Sequence, residues 1–150
     1  MKPILFHDID GVLFGEYDGH FQLRPGMKSW LTWAHERFDV VWLTSWEKTK
    51  IEQLLQASYC EGFFPLVYAD WSRCADKTVW LKTALPRLQG RQAFWIDDLE
   101  APVDGLEAVH VNPEGRDELE RLRRFLEERL YNNGADVPLE SVQSGSSSRF

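Results

Sequence analysis

Phe6-His7-Asp8-Ile9-Asp10-Gly11-Val12-Leu13 follows the apolar opening Pro3-Ile4-Leu5-Phe6, and the reading of the whole chain turns on it. The opening has no polar interruption before the turn signal at Gly11, which predicts a short buried strand. Side chains alternate along an extended chain, so Asp8 and Asp10 are expected to point one way at the strand's exit and Ile9 the other, with Gly11 turning the backbone just beyond. Two carboxylates this close repel. A hard cation such as Mg²⁺ takes oxygen ligands and relieves that repulsion. Asp-x-Asp-Gly also occurs in ordinary turns and in calcium loops. A calcium loop needs more oxygen ligands close behind and a Glu at its end, whereas Val12, Leu13 and Phe14 follow here.

Beyond the strand, Asp18-Gly19 stands between Phe14, Tyr17 and Phe21, the signal for a two-residue hairpin turn and thus a small flap over the strand exit. Arg24-Pro25-Gly26 opens a helix in which Met27, Trp30, Leu31 and Ala34 recur at helical spacing down to Phe38. Asp39 to Thr44 reads as a second buried strand, and Ile51, Leu54 and Leu55 form the apolar stripe of a helix from Glu47 to Gln56. A third strand is expected within Phe63 to Tyr68, after Pro65. Asp76 caps a helix running to Leu88 that Pro86 loosens at its end; Ala93 to Ile96 is a fourth strand and Ala108 to Val111 a fifth. A last helix, Gly115 to Tyr131, puts Leu119, Leu122, Phe125, Leu126 and Leu130 on one face, and its charges alternate as on a solvated surface. Strands alternating with helices predict an α/β fold: a three-layer, Rossmann-like parallel sheet of five strands with right-handed crossovers.

The chain's 150 residues, 43% hydrophobic and 13% aromatic, suit one domain with a real core, assigned here to residues 1–131. Residues 132–150, with Ser144-Gly145-Ser146-Ser147-Ser148, have the composition of a flexible tail. No apolar run is long enough to cross a membrane and no signal peptide is visible, so a cytoplasmic location is the expectation. Cys60 and Cys74 have no metal or disulfide spacing. A net charge of −7 gives no general attraction to nucleic acid or anionic membrane, though a local patch built from Arg24, Lys28, Lys48 and Lys50 would be the mark of a large anionic substrate.

In an open parallel sheet, ligands bind at the carboxyl ends of the strands. Four polar features land there: Asp8 and Asp10 after the first strand, Thr44-Ser45 after the second, Asp97-Asp98 after the fourth, and Lys77 at the start of the preceding helix. Each has an ordinary reading alone, Thr44 as a helix cap, Lys77 as a surface lysine and Asp97-Asp98 as a turn. Their joint appearance at strand ends is the signal. The pattern resembles the haloacid dehalogenase superfamily, whose motifs are an Asp-x-Asp after the first strand, a Thr or Ser after the second, a Lys, and an acidic pair after the motif-four strand. The match covers Pro3 to Val111.

The resemblance implies a strand order of 5-4-1-2-3 and Mg²⁺-dependent phosphatase chemistry. Asp8 would be the nucleophile that forms an aspartyl-phosphate, and Asp10 the general acid and base. Thr44, helped by Ser45, would hold a phosphoryl oxygen, and Lys77 would neutralise developing charge. Asp8, the backbone carbonyl of Asp10 and Asp98 would hold Mg²⁺, with Asp97 assisting through water. The second aspartate, Asp10, favours phosphatase over dehalogenase chemistry. Neither Phe14 to Arg24 nor Ser58 to Asp76 has room for a cap domain, so the site should be open to large substrates, such as a nucleotide or a nucleic-acid end, or be closed by a partner subunit. Val41 to Glu47 is similar to the phosphatase-like domains of some RNA repair proteins. Competing readings are a small-metabolite phosphatase closed by oligomerisation and a binding protein without turnover; the complete motif set argues against the second. Among seven tryptophans, Trp46 and Trp71 are candidates to stack on a base, while Trp30, Trp33, Trp42, Trp80 and Trp95 fall on core-like positions. His7 should face away from the site and be structural.

Overall fold

The first apolar run forms β1 (Ile4–His7), the centre of the sheet in the computed structural model, which describes residues 1–63, 66–99 and 103–133. A hairpin follows, β2 (Phe14–Tyr17) and β3 (His20–Leu23), then α1 (Met27–Arg37), β4 (Asp39–Trp42), α2 (Lys48–Ala57), α3 (Lys77–Ala84), β5 (Ala93–Asp97), β6 (Glu107–His110) and α4 (Glu118–Asn133). The parallel sheet has the order β4-β1-β5-β6, with Phe6 level with Val41 on one side and Trp95 on the other.

The expected five-stranded sheet in the order 5-4-1-2-3 is corrected to four strands among the described residues. The segment expected to form the third strand supplies one parallel bridge, Trp42 with Tyr68, bounded by Trp42 N–H to the Val67 carbonyl at 2.8 Å and Ala69 N–H to the Trp42 carbonyl at 2.9 Å. Phe63 instead closes a 3₁₀ turn, Glu61–Phe63, and Phe64 and Pro65 lie outside the described residues. One bridge at a sheet edge is too little ladder to hold a strand.

Alternation along β1 divides the core in two. Leu5 packs with Val40, Trp42, Phe94 and Ile96 beneath α1, α2 and α4, while Ile4 and Phe6 pack with Val41, Leu43, Trp95 and Leu81 of α3 on the opposite face. The result is three layers. The hairpin turns at Asp18-Gly19 as expected; φ values of 55° and 75° place both residues in the left-handed region that a type I′ turn requires. Pro86 does loosen the end of its helix, which becomes a 3₁₀ turn at Leu85–Leu88. Helix α4 runs two residues into the segment read as tail, and 134–150 lie outside the described residues.

Arg24 is the largest departure from the surface reading. It is 2% exposed, and its guanidinium donates to the carbonyls of Val12 (2.7 Å), Gly11 (2.8 Å), Asn112 (3.0 Å) and Gly115. It therefore ties the loop after β1 to the loop before α4 and cannot belong to a basic surface patch. Arg24→Met leaves several buried carbonyls without a donor, so a loss of about 3 kcal/mol is expected in urea denaturation.

Candidate active site

Asp8 has the same parity as Ile4 and Phe6, so it emerges on the α3 face, where the first residue of that helix is Lys77. Asp76 caps the helix, accepting the Val79 N–H at 2.9 Å, and this anchors the turn from which Lys77 projects. The Lys77 ammonium lies 3.1 Å from Asp8 Oδ1 and donates to Asp97 Oδ2 at 2.8 Å. Asp97 stands level with Asp8 because the β1–β5 pairing continues one step beyond His7, with Asp8 N–H on the Ile96 carbonyl at 3.3 Å. Ligand oxygens of Asp8, Asp97 and Asp98 all fall within 4.8 Å of one another.

Three carboxylates close together, two of them on the Lys77 ammonium, leave an excess of negative charge. Burial, with the charge of Asp97 added, pushes Asp8 up to about 7, and Lys77 only partly offsets this. Burial and the neighbouring Asp97 likewise push Asp98 up to about 6. Burial works against the Lys77 ammonium, but Asp8 and Asp97 outweigh it and hold its pKa above the usual lysine value. The Asp97 oxygens are both engaged, Oδ2 by Lys77 and Oδ1 by the Leu99 N–H at 3.1 Å.

Gly11 makes room for Asp98. Its φ is +77°, and a Cβ there would overlap the Asp98 carboxyl group. Gly11→Ala is expected to cost about 2 kcal/mol or more and to displace Asp98, read as a lower melting temperature.

Asp10 is not in the three-carboxylate group. The strand ends at His7, and the N–H groups of Val12, Leu13 and Phe14 all converge on the Ile9 carbonyl, so the alternation argument does not extend to Asp10. Its Oδ1 accepts the Trp46 indole N–H at 2.9 Å. The Leu43 N–H reaches the His7 carbonyl at 2.8 Å, which continues the β1–β4 register so that Leu43 is level with Asp8 and Thr44 follows one residue beyond, past the carboxyl end of the edge strand β4. Thr44 is buried: its Oγ1 accepts the Trp46 backbone N–H at 3.2 Å and its carbonyl accepts the Trp71 indole N–H at 2.8 Å. The hydroxyl keeps its own proton to donate. Ser45 is exposed beside it. Lys48 and Lys50 are exposed on α2, whereas Lys28 lines a different cleft with Thr32, Trp33 and Arg37, so the four basic residues do not form one patch.

His7 faces the other way, as alternation requires. The Trp30 indole donates to its Nε2 at 2.8 Å, so Nδ1 carries the proton and donates to the Asp8 carbonyl at 2.6 Å. Burial pushes this imidazole down to about 3, and it stays neutral. Trp46 and Trp71 are thus engaged by indole hydrogen bonds with Asp10 and Thr44, a use that their spacing did not signal. Trp30, Trp33, Trp42 and Trp95 are buried as expected, and Trp80 is half-buried against Phe6. No described helix is long and apolar enough to cross a membrane. Comparison with protein-family models, curated proteins and solved structures found no match for this chain.

Proposed function

We propose that the chain is a Mg²⁺-dependent phosphomonoester hydrolase of the haloacid dehalogenase type. The observation that carries this reading is the convergence of Asp8, Asp97 and Asp98, with Lys77 on the first two, at the carboxyl edge of a parallel sheet. Three hard oxygen donors, two of which, Asp8 and Asp98, have raised proton affinity, suit a hard divalent cation. Asp8, Asp98 and the backbone carbonyl of Asp10 would hold it, with Asp97 acting through water because its own oxygens are engaged. Bound there, Mg²⁺ supplies charge that cancels the carboxylate repulsion and stabilises negative charge on the phosphoryl oxygens.

The protein's own groups divide the remaining work. An Asp8 carboxylate oxygen attacks phosphorus as the bond to the leaving oxygen breaks, and Asp10 gives its proton to that oxygen. Asp10, now a carboxylate, takes a proton from water, whose oxygen attacks the aspartyl-phosphate; phosphate leaves and the Asp8 carboxylate is restored. The Trp46 indole bond fixes Asp10 Oδ1 and leaves Oδ2 for proton transfer. Thr44 offers its hydroxyl proton to a phosphoryl oxygen, with Ser45 beside it, and Lys77 neutralises charge near Asp8.

Phosphate release from an aryl phosphate is the test: it is expected to stop on chelation and to return with Mg²⁺, and release indifferent to the chelator would overturn the reading. The site's charge also sets a pH dependence. Asp8 and Asp98 titrate higher in the fold, at about 7 and about 6, than the 3.8 of a free aspartate. Their contribution to stability is therefore present below pH ~4 and lost as pH rises through 6 to 7. Mg²⁺ competes with those protons, so its effect on the melting temperature is expected to grow from pH 5 to pH 8. A shift that shrinks over that range contradicts the assignment of these carboxylates to the metal.

A further inference from the structure

Two carbonyls of the turn between β4 and α2 have neither a strand nor a helix to donate to them. Thr44 lies past the end of β4, and Trp46 precedes Glu47, whose carbonyl accepts the Lys50 and Ile51 N–H groups as α2 begins. Side chains of one segment, residues 67–71, take both. The Trp71 indole donates to the Thr44 carbonyl at 2.8 Å, and the Tyr68 hydroxyl donates to the Trp46 carbonyl at 3.0 Å. The segment is itself held to the sheet by the bridge of Tyr68 with Trp42, and the Cys74 N–H closes a turn on the Trp71 carbonyl at 2.9 Å. Packing accounts for the Tyr68 ring, half-buried against the core, but a phenylalanine would fill that place as well. The hydroxyl adds only its bond to the turn. We propose that Tyr68 is a positioning residue for Asp10 and acts through Trp46. The inference rests on the hydrolase reading and brings to it a residue outside the four motifs.

The connection runs through one residue. Asp10 stands beyond the end of β1, and the Trp46 indole holds its Oδ1 at 2.9 Å. The backbone of Trp46 is in turn held on both sides, its N–H on Thr44 Oγ1 at 3.2 Å and its carbonyl by Tyr68. Phe14, 5.3 Å away and tilted by 31°, packs against the indole but supplies no directed bond to it. Freeing the carbonyl lets the Trp46 backbone turn, and a side chain of this length carries a small rotation into a larger displacement at Nε1. Misplacing an acting group by about 1 Å can cost up to 10²-fold in rate. Trp71 and Tyr68 thus divide the turn between them. Trp71 holds the residue whose hydroxyl meets the phosphoryl group, whereas Tyr68 holds the residue that meets the acid, so loss of the Tyr68 hydroxyl is felt where the leaving oxygen needs a proton.

Comparison of kcat/KM for two esters in the presence of Mg²⁺ tests this, because that ratio reports the steps up to breakage of the ester bond. Para-nitrophenol leaves with little protonation, whereas phenol needs the proton of Asp10. Tyr68→Phe keeps the packed ring, and melting curves verify that it folds. It is expected to lower kcat/KM for phenyl phosphate roughly 10-fold and to leave that for para-nitrophenyl phosphate within about 2-fold of the wild type. Trp46→Phe is expected to show the same selective loss, and addition of Tyr68→Phe to it no further loss, since one residue acts through the other. A general loosening of the fold would slow both esters alike. Where the wild type releases phosphate, an equal loss on both esters in Tyr68→Phe, no loss on either, or a full additional loss in the double variant overturns the role of Tyr68 and leaves the hydrolase reading standing. No release from either ester by the wild type overturns the hydrolase reading, and the role of Tyr68 in turnover with it.

Discussion

Asp8→Asn is expected to lower phosphate release by about 10⁴-fold or more, because an amide of the same shape cannot attack phosphorus. The same substitution is expected to leave the metal-free protein as stable as the wild type or more so. Asp8 is buried and pushed up to about 7 by burial and by Asp97, so the wild-type fold holds a carboxylate it disfavours at neutral pH. Binding of Mg²⁺ should weaken at the same time. Steady-state kinetics, melting curves without metal and metal titration together check the three effects. A variant with near wild-type turnover would remove Asp8 from the chemistry. One that loses activity only because it unfolds would fail to support the assignment.

Lys77→Met is expected to be the most destabilising change at the site. The ammonium contacts Asp8 and Asp97 with its side chain only 11% exposed, and its loss leaves both carboxylates, with Asp98 close by, facing one another without a cation. Breaking one side of a buried charge network costs about 3–5 kcal/mol, which lowers the melting temperature of a chain this size by about 10 °C. Millimolar Mg²⁺ should restore part of that loss, since it supplies positive charge to the same oxygens, while phosphate release should stay low. A metal-free melting temperature equal to the wild type's would show that Lys77 does not balance this cluster.

Much of this was legible because strand alternation carries strong information. Ile4, Phe6 and Asp8 share a parity, so one uninterrupted apolar run assigned Asp8 to an edge of the sheet and turned His7 to the other side. Asp76 as a cap likewise fixed where Lys77 would stand. The apolar residues after Pro65 imitate an edge strand in sequence, while the backbone makes one bridge at Tyr68 and no ladder. Nothing in the sequence marks Arg24 as buried, because its acceptors are backbone carbonyls of residues 11, 12, 112 and 115, which any side chain can carry. The pairing of Trp46 with Asp10 spans 36 residues and depends on β1 lying beside β4, so no local pattern announces it. Asp10 itself departed from the alternation argument because the strand gives way at Ile9, where three N–H groups share one carbonyl.

The central claim is that Asp8 takes the phosphoryl group. Rapid acid quenching of the Asp10→Asn variant with para-nitrophenyl phosphate and Mg²⁺, followed by peptide mass measurement, tests it most directly. That leaving group needs little protonation, so the first step can proceed, whereas release by water lacks its base and the intermediate accumulates. The account predicts one added phosphoryl group on Asp8, sensitive to hydroxylamine. An unmodified Asp8, or a phosphoryl group on another residue, would contradict it.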